Sequence, residues 1–162
     1  VIFIEHFGMT PSAYSMIFAS NAIAFIGSAQ FNSTLMRRFG AERVVRIAIS
    51  CFASFVTLLF LLTVSGVDNA FVLWGLLFVS FGCLGFVIPS TAVLALEEQG
   101  AVAGTASALM GTLQLGTGAI IIALVSALYD GTSVSMVSAI YFCALVALTL
   151  SFRTMKPKRL YP

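Results

Sequence analysis

Apolar positions in this 162-residue chain come in long runs, each broken by only a few polar residues. Five of them, Ser12–Met36, Val44–Ser65, Phe71–Leu96, Val102–Tyr129 and Val134–Phe152, reach the length of a bilayer-crossing helix, which needs about 20 mainly apolar residues. Val1–Ile4 reads as the end of a sixth. Turn-like breaks lie at Thr10-Pro11, at Arg37–Arg43 around Gly40, at Ser65–Asn69, at Glu97–Gly100 and at Asp130–Thr132. Barrel strands are near ten residues long and alternate, so these lengths predict helices. The expected fold is all-α, a polytopic membrane helix bundle that forms one transmembrane domain over 1–162, with 153–162 as a tail.

Composition removes the soluble alternative. Hydrophobic residues make up 60% of the chain and charged residues 9%, with a mean hydropathy of +1.07. A soluble domain carries roughly a quarter charged residues, because it must cover itself with solvated groups. The net charge of +2 is small and the basic residues sit beside apolar runs, which argues against nucleic acid and for topology signals. Every Lys and Arg falls in one of two clusters: Arg37, Arg38, Arg43 and Arg46, or Arg153, Lys156, Lys158 and Arg159. Four spans separate the clusters, so both face one compartment. Short loops rich in Lys and Arg stay cytoplasmic, which predicts a cytoplasmic C-terminus. Glu5, His6, Asp68 and Asp130 fall on the other side. Cys51, Cys83 and Cys143 lie inside apolar segments without ligand-like spacing, so buried inert thiols are expected. Val1 lies in an apolar run with no initiator Met or leader, which reads as a start within a longer chain.

Polar and small residues are not scattered within the spans. In the fourth, Gly104, Ser107, Gly111, Gln114 and Gly118 share one helical face, opposite Leu109, Leu113, Ile120 and Leu124. Small residues let helix backbones approach closely in lipid. The third span repeats the device with Gly75, Gly82, Gly85 and Pro89, and Pro89 removes one backbone donor. Two readings stay open for these stripes, plain helix packing and a moving, hinge-bearing helix pair. In the first full span Tyr14, Asn21, Ser28 and Asn32 line one face, opposite Met16, Ile23 and Gln30. Tyr14 is expected as an interfacial anchor. Asn21 either bonds a neighbouring helix or lines a wet cavity. Gln30 and Asn32, nearer the end of the span, are expected to be solvated at the interface.

No Asp, Glu, Lys, Arg or His lies in the middle of any span, whereas an ion-coupled pump normally needs such a group. Glu5 and His6 come nearest and read as a solvated pair. Metal-ligand spacing, a nucleophile–base pair and a phosphate-cradling loop are all missing, so no enzyme, metal or cofactor is expected.

The stretch Glu97–Ala119, EEQGAVAGTASALMGTLQLGTGA, resembles the loop and eleventh helix of the Bcr/CflA-type drug:proton antiporters of the major facilitator superfamily, above all in Ala103–Gly111. Gly85–Leu94, GFVIPSTAVL, is similar to the proline-bearing end of that family's tenth helix, and Phe7–Ala13 to the outer loop between its seventh and eighth. Ser33–Arg43 resembles a degenerate copy of the superfamily's G-x-x-x-D-R-x-G-R-R loop. Arg38 and Gly40 match, whereas Arg37 replaces the acid, Ser33 the first glycine, and Ala41 and Glu42 the closing basic pair. The resemblance covers nearly the whole chain. It implies the C-terminal six-helix half of a major-facilitator fold with its first helix truncated, the five spans being helices 8 to 12.

In such a fold two halves rock around a central site, with helices 7, 8, 10 and 11 lining the cavity and 9 and 12 outside. The resemblance therefore makes Asn21, Ser28, Ser107 and Gln114 the candidate cavity-lining residues. Phe25, Phe78 and Phe86 would add contact area. Gly82, Gly85, Pro89, Gly104, Gly111 and Gly118 are the candidates for hinges or close packing. A cytoplasmic gate would pair Glu97 or Glu98 with Arg37, Arg38 or Arg43. The implied function is proton-coupled efflux of small amphipathic drugs or metabolites across a bacterial inner membrane. Its partners are the small-molecule substrate, protons, the lipid bilayer and an N-terminal half that carries the proton-binding acid. Two alternatives stay open: uptake of a nutrient or metabolite by a major facilitator, and a membrane scaffold that transports nothing.

Overall fold

Thr10 opens the first helix of the computed structural model, which describes residues 10–66, 69–97, 99–127 and 133–154. The Thr10 hydroxyl accepts from the Ala13 amide at 3.3 Å, and Pro11 follows at the first turn, where its missing N–H costs nothing. Five helices result: α1 (Pro11–Phe39), α2 (Ala41–Val64), α3 (Ala70–Leu96), α4 (Ala103–Ala127) and α5 (Ser133–Thr154). A short 3-10 turn, Gly100–Val102, leads into α4. Each expected span is thus a helix, and all five are long and apolar enough to cross a membrane. The stub Val1–Ile4, the charged residues Glu5, His6, Asp68, Glu98 and Asp130, and the tail residues Lys156, Lys158 and Arg159 lie outside the described residues.

The Arg37–Arg43 stretch, polar enough to predict a longer turn, is helical except at Gly40. Arg37 and Arg38 occupy the last turn of α1, where positive charge complements the helix dipole. Gly40 then reverses the chain alone, at a φ of 83° that only glycine adopts freely. Its amide donates to the Met36 carbonyl at 2.8 Å, and its own carbonyl accepts from the Val44 amide at 3.2 Å. At the start of α3 the Asn69 side chain accepts from the Phe71 amide at 2.9 Å.

α3 packs on α1 and on α2, and α2 in turn packs on α5. One apolar core joins Leu59, Leu73, Leu77 and Val137, with Ile17, Phe60 and Trp74 against it. Tyr14, half-buried in the first turn of α1, packs on this core as well. A second core, nearer Gly40, joins Ala48, Ile49 and Val87. Phe60 stacks on Tyr141 with centroids 4.7 Å apart, fixing α5 to α2. α2 buries Val44, Val45, Ala48, Ile49, Ala53, Val56 and Leu59, the pattern of a helix surrounded on several sides. Large apolar residues such as Met16, Ile23, Phe31, Phe71, Leu115 and Ile122 face outward, as suits lipid as the solvent.

The three thiols are free, but they are not all buried as the sequence predicts. Cys51 is exposed on the outer face of α2, while Cys83 and Cys143 are partly covered. In lipid an outward thiol meets an apolar solvent, so burial inside the protein is not needed to place it there.

Candidate functional site

α1 and α3 meet along a seam of polar and small residues. At one end the Trp74 indole N–H donates to Ser20 Oγ at 2.9 Å, while Ser20 donates to the Ile17 carbonyl at 2.7 Å. At the middle Gly85 faces the Phe25 carbonyl and the side chain of Ser28. A Cβ on Gly85 would collide with that carbonyl and would lie 2.9 Å from Ser28 Cβ. Gly82 faces Ser28 Oγ, 3.4 Å from where its own Cβ would be. At the far end Ser90 Oγ donates to Asn32 Oδ1 at 2.9 Å, fully buried. Partners ascend together on both helices, so α1 and α3 run parallel, as helices one span apart must.

Asn21 and Asn32 lie on this seam with 7% and 1% of their surface exposed. Depth along the span predicts a solvated Asn32 at the interface. The structure buries it instead, because Ser90 reaches across from α3 and supplies a donor for its carbonyl oxygen. Gln30, on the opposite face, is exposed as predicted. Among the described residues Asn21 Oδ1 and Asn32 Nδ2 find no hydrogen-bond partner. An unpaired buried polar atom costs about 1–3 kcal/mol, so the two amides hold the seam's unspent polarity. Ser28 spends its one donor on the Ala24 carbonyl at 2.7 Å and keeps only acceptor capacity.

Pro89 lies within α3, which continues as helix on both sides of it. Lacking an N–H, Pro89 leaves the Gly85 carbonyl without its intrahelical donor. Gly85 therefore combines the closest approach to α1 with the weakest point in the α3 ladder. Gly75, which shares its stripe in the sequence, has open space around it.

The stripe on α4 has a different setting. No α4 residue is buried, and Ser107, Gln114 and Gly104 are exposed. No described residue lies within 4 Å of a Cβ built on Gly104, Gly111 or Gly118. Leu109, Leu113, Ile120 and Leu124 are exposed too, so neither side of α4 is covered by the described residues. Asn21 and Ser28 thus face α3, while Ser107 and Gln114 stand on a separate, open helix.

A cleft of about 1070 Å³ opens at the end of the bundle where α1, α2 and α3 meet. Arg37, Arg43, Arg46, Glu42 and Glu97 line it, with Met36, Ile47 and Val93 as apolar wall. Arg46 lies over the Phe152 ring at 5.2 Å from its centroid, and Arg38 over Phe39 at 5.5 Å. Among the described residues Glu97 makes no ion pair with Arg37, Arg38 or Arg43. The acid and the arginines share a cleft rather than a contact.

Ser20, Trp74 and Ser90 belong to the seam but carry no signal within their own spans. Their signal is a pairing across helices: two same-direction spans, each with polar or small residues at matching depths. Reading each span alone hides it.

No family model and no solved structure matches the chain. Two curated proteins are similar to it. One is an uncharacterized MFS-type transporter, YdgK, of Bacillus subtilis strain 168, 32% identical over 163 residues, covering 98% of this chain and 39% of the relative. The other is a bicyclomycin resistance protein homolog of Haemophilus influenzae, 26% identical over 153 residues, covering 91% of this chain and 37% of the relative. The chain thus spans less than two fifths of the length of either relative. The first similarity is to a segment of an MFS-type transporter, and the five long apolar helices support a multi-pass membrane protein.

Proposed function

We propose that this chain is the C-terminal half of a Bcr/CflA-type major-facilitator antiporter that exports small amphipathic compounds against an inward flow of protons. The observation that carries the proposal is the similarity of 98% of the chain to a transporter segment at 32% identity. The bicyclomycin resistance homolog favours export of a drug-like compound over uptake. Helices α1, α3 and α4 stand for the eighth, tenth and eleventh of such a carrier. Ser107 and Gln114 then face the substrate path, while Asn21 and Ser28 border it from the α1–α3 seam. There the unspent Asn21 Oδ1 supplies a polar contact as α3 shifts. Gly82, Gly85 and Pro89 let α3 shift against α1, and Gly104, Gly111 and Gly118 let α4 slide against the N-terminal half. Arg37, Arg38 and Arg43 close with Glu97 or Glu98 on the cytoplasmic side of the inner membrane. The described spans hold no ionisable side chain at mid-depth, so the proton-binding acid belongs to the N-terminal half.

The test uses the full-length protein in a drug-sensitive bacterial strain. Expression is expected to raise the inhibitory concentration of bicyclomycin or another small amphipathic drug several-fold, and a protonophore is expected to abolish the gain. Asn21→Ala should shift the drug profile without loss of the protein from the membrane. Increased accumulation of the compound would turn the reading to uptake. No movement of any compound, with normal membrane insertion, would leave a scaffold.

A further inference from the structure

The cleft between α1, α2 and α3, which holds residues of the proposed gate, also has the chemistry of a binding site. Among the described residues its rim carries three guanidinium groups, Arg37, Arg43 and Arg46, against two carboxylates, Glu42 and Glu97, a net positive balance. Its wall is apolar, from Met36, Ile47, Val93 and Leu94. Position decides what such a cleft meets. Arg37, Glu97 and Arg153 lie at the ends of α1, α3 and α5, and Arg43 near the start of α2, so all four mark one end of the bundle. That end is where the apolar spans stop and lipid headgroups begin.

Among the described residues the cations are not consumed by ion pairs. No ion pair joins the cleft's arginines to Glu97 among the described residues, although all share the same space. Arg46 is held over the Phe152 ring, a contact with the ring face that uses up no hydrogen-bond acceptor. Gly40 has no side chain to cap α2, so the first amides of that helix add neutral donors on the same rim. Guanidinium forks match phosphate oxygens two at a time, and basic pockets between membrane helices take anionic headgroups.

We propose that this cleft is a binding site for one anionic phospholipid, its phosphodiester held by Arg37, Arg43 and Arg46 and its first acyl carbons lying on Met36, Ile47 and Val93. A water-soluble phosphate would use the rim but not the wall. Glu42 and Glu97 set the strength: they weaken the site enough for the lipid to exchange. Neutralising either should strengthen binding. The proposal does not depend on what, or whether, the protein transports.

The experiment measures lipid retained by the full-length protein purified from mixed vesicles of phosphatidylglycerol and phosphatidylcholine, by native mass spectrometry. The wild type is expected to retain phosphatidylglycerol in preference to phosphatidylcholine, with about fivefold of that preference lost per arginine in R37Q and R43Q. Glu97→Gln should raise retention, and Arg153→Gln, outside the cleft, should leave it unchanged. Excess inorganic phosphate should displace little of the lipid. Equal retention of the two lipids by the wild type would overturn the proposal. So would a preference that survives R37Q/R43Q, or one that inorganic phosphate removes entirely. If the double variant does not fold, the wild-type preference and the Glu97→Gln gain still decide.

Discussion

Gly85 bears on the stability of the α1–α3 pair more directly than any other glycine described. Its Cα lies where a methyl group would meet the Phe25 carbonyl, and a backbone group cannot swing aside as a side-chain tip can. Gly85→Ala should therefore force the helices apart, at a cost of about 1–3 kcal/mol typical of overpacking. Gly75→Ala meets open space and should gain up to about 1 kcal/mol from helix propensity. Thermal unfolding of the full-length protein in detergent reads both. The Ser90–Asn32 pair gives a second residue-scale expectation. Interhelical hydrogen bonds in membranes are worth about 0.6 kcal/mol on average and about 1.7 at most. Ser90→Ala leaves Asn32 with both ends unpaired, so its cost should sit at the upper end of that range. Adding Asn32→Ala should give back part of the loss, and a double-mutant cycle with no coupling would show that the bond contributes nothing.

At the scale of elements, helix existence was legible because lipid imposes one rule: spans must be long, apolar and internally hydrogen-bonded. Faces were legible where a single helix carries the whole pattern, as with Met16, Ile23 and Gln30 against Asn21 and Ser28 on α1. What could not be read from one span was a partner on another. Depth alone makes Asn32 a residue of the interface, and Ser90 makes it a core residue. Gly75, Gly82 and Gly85 are equivalent by spacing, yet the crossing point with α1 selects Gly82 and Gly85. The turn around Gly40 is shorter than its polar sequence suggests, because arginines are as good in a helix's last turn as in a loop. The α4 stripe is where an element-scale prediction belongs. Gly111→Phe should impair transport or assembly of the full-length protein more than Leu113→Phe, measured by drug resistance at equal expression. Equal effects would show that the two faces of α4 are not distinct.

For the whole molecule, topology follows from charge. The end of the bundle that carries Arg37, Arg38, Arg43, Arg46 and Arg153 should be cytoplasmic. A fluorescent reporter fused after Pro162 should light up, and an alkaline phosphatase fused there should stay inactive. The opposite pair of signals would invert the orientation and, with it, the side on which the proposed gate closes. Charge reversal tests that gate at the same scale. Glu97→Arg or Arg37→Glu alone should reduce transport, and the two together should restore it if the residues meet during the cycle.

The order in which these helices are made is not the order in which they can settle. α4 leaves the ribosome before α5, yet α5 finds a seat on α2, while α4 has no buried residue at all. Until another part of the protein covers it, α4 is therefore a loose rod in the bilayer, glycine face open, while α5 is already docked. For that interval the cell's insertion machinery must shield α4, and membrane proteases that seek unpacked helices have a window on it. Yield of the protein in cells, rather than its affinity for any compound, is where crowding the α4 face should show first.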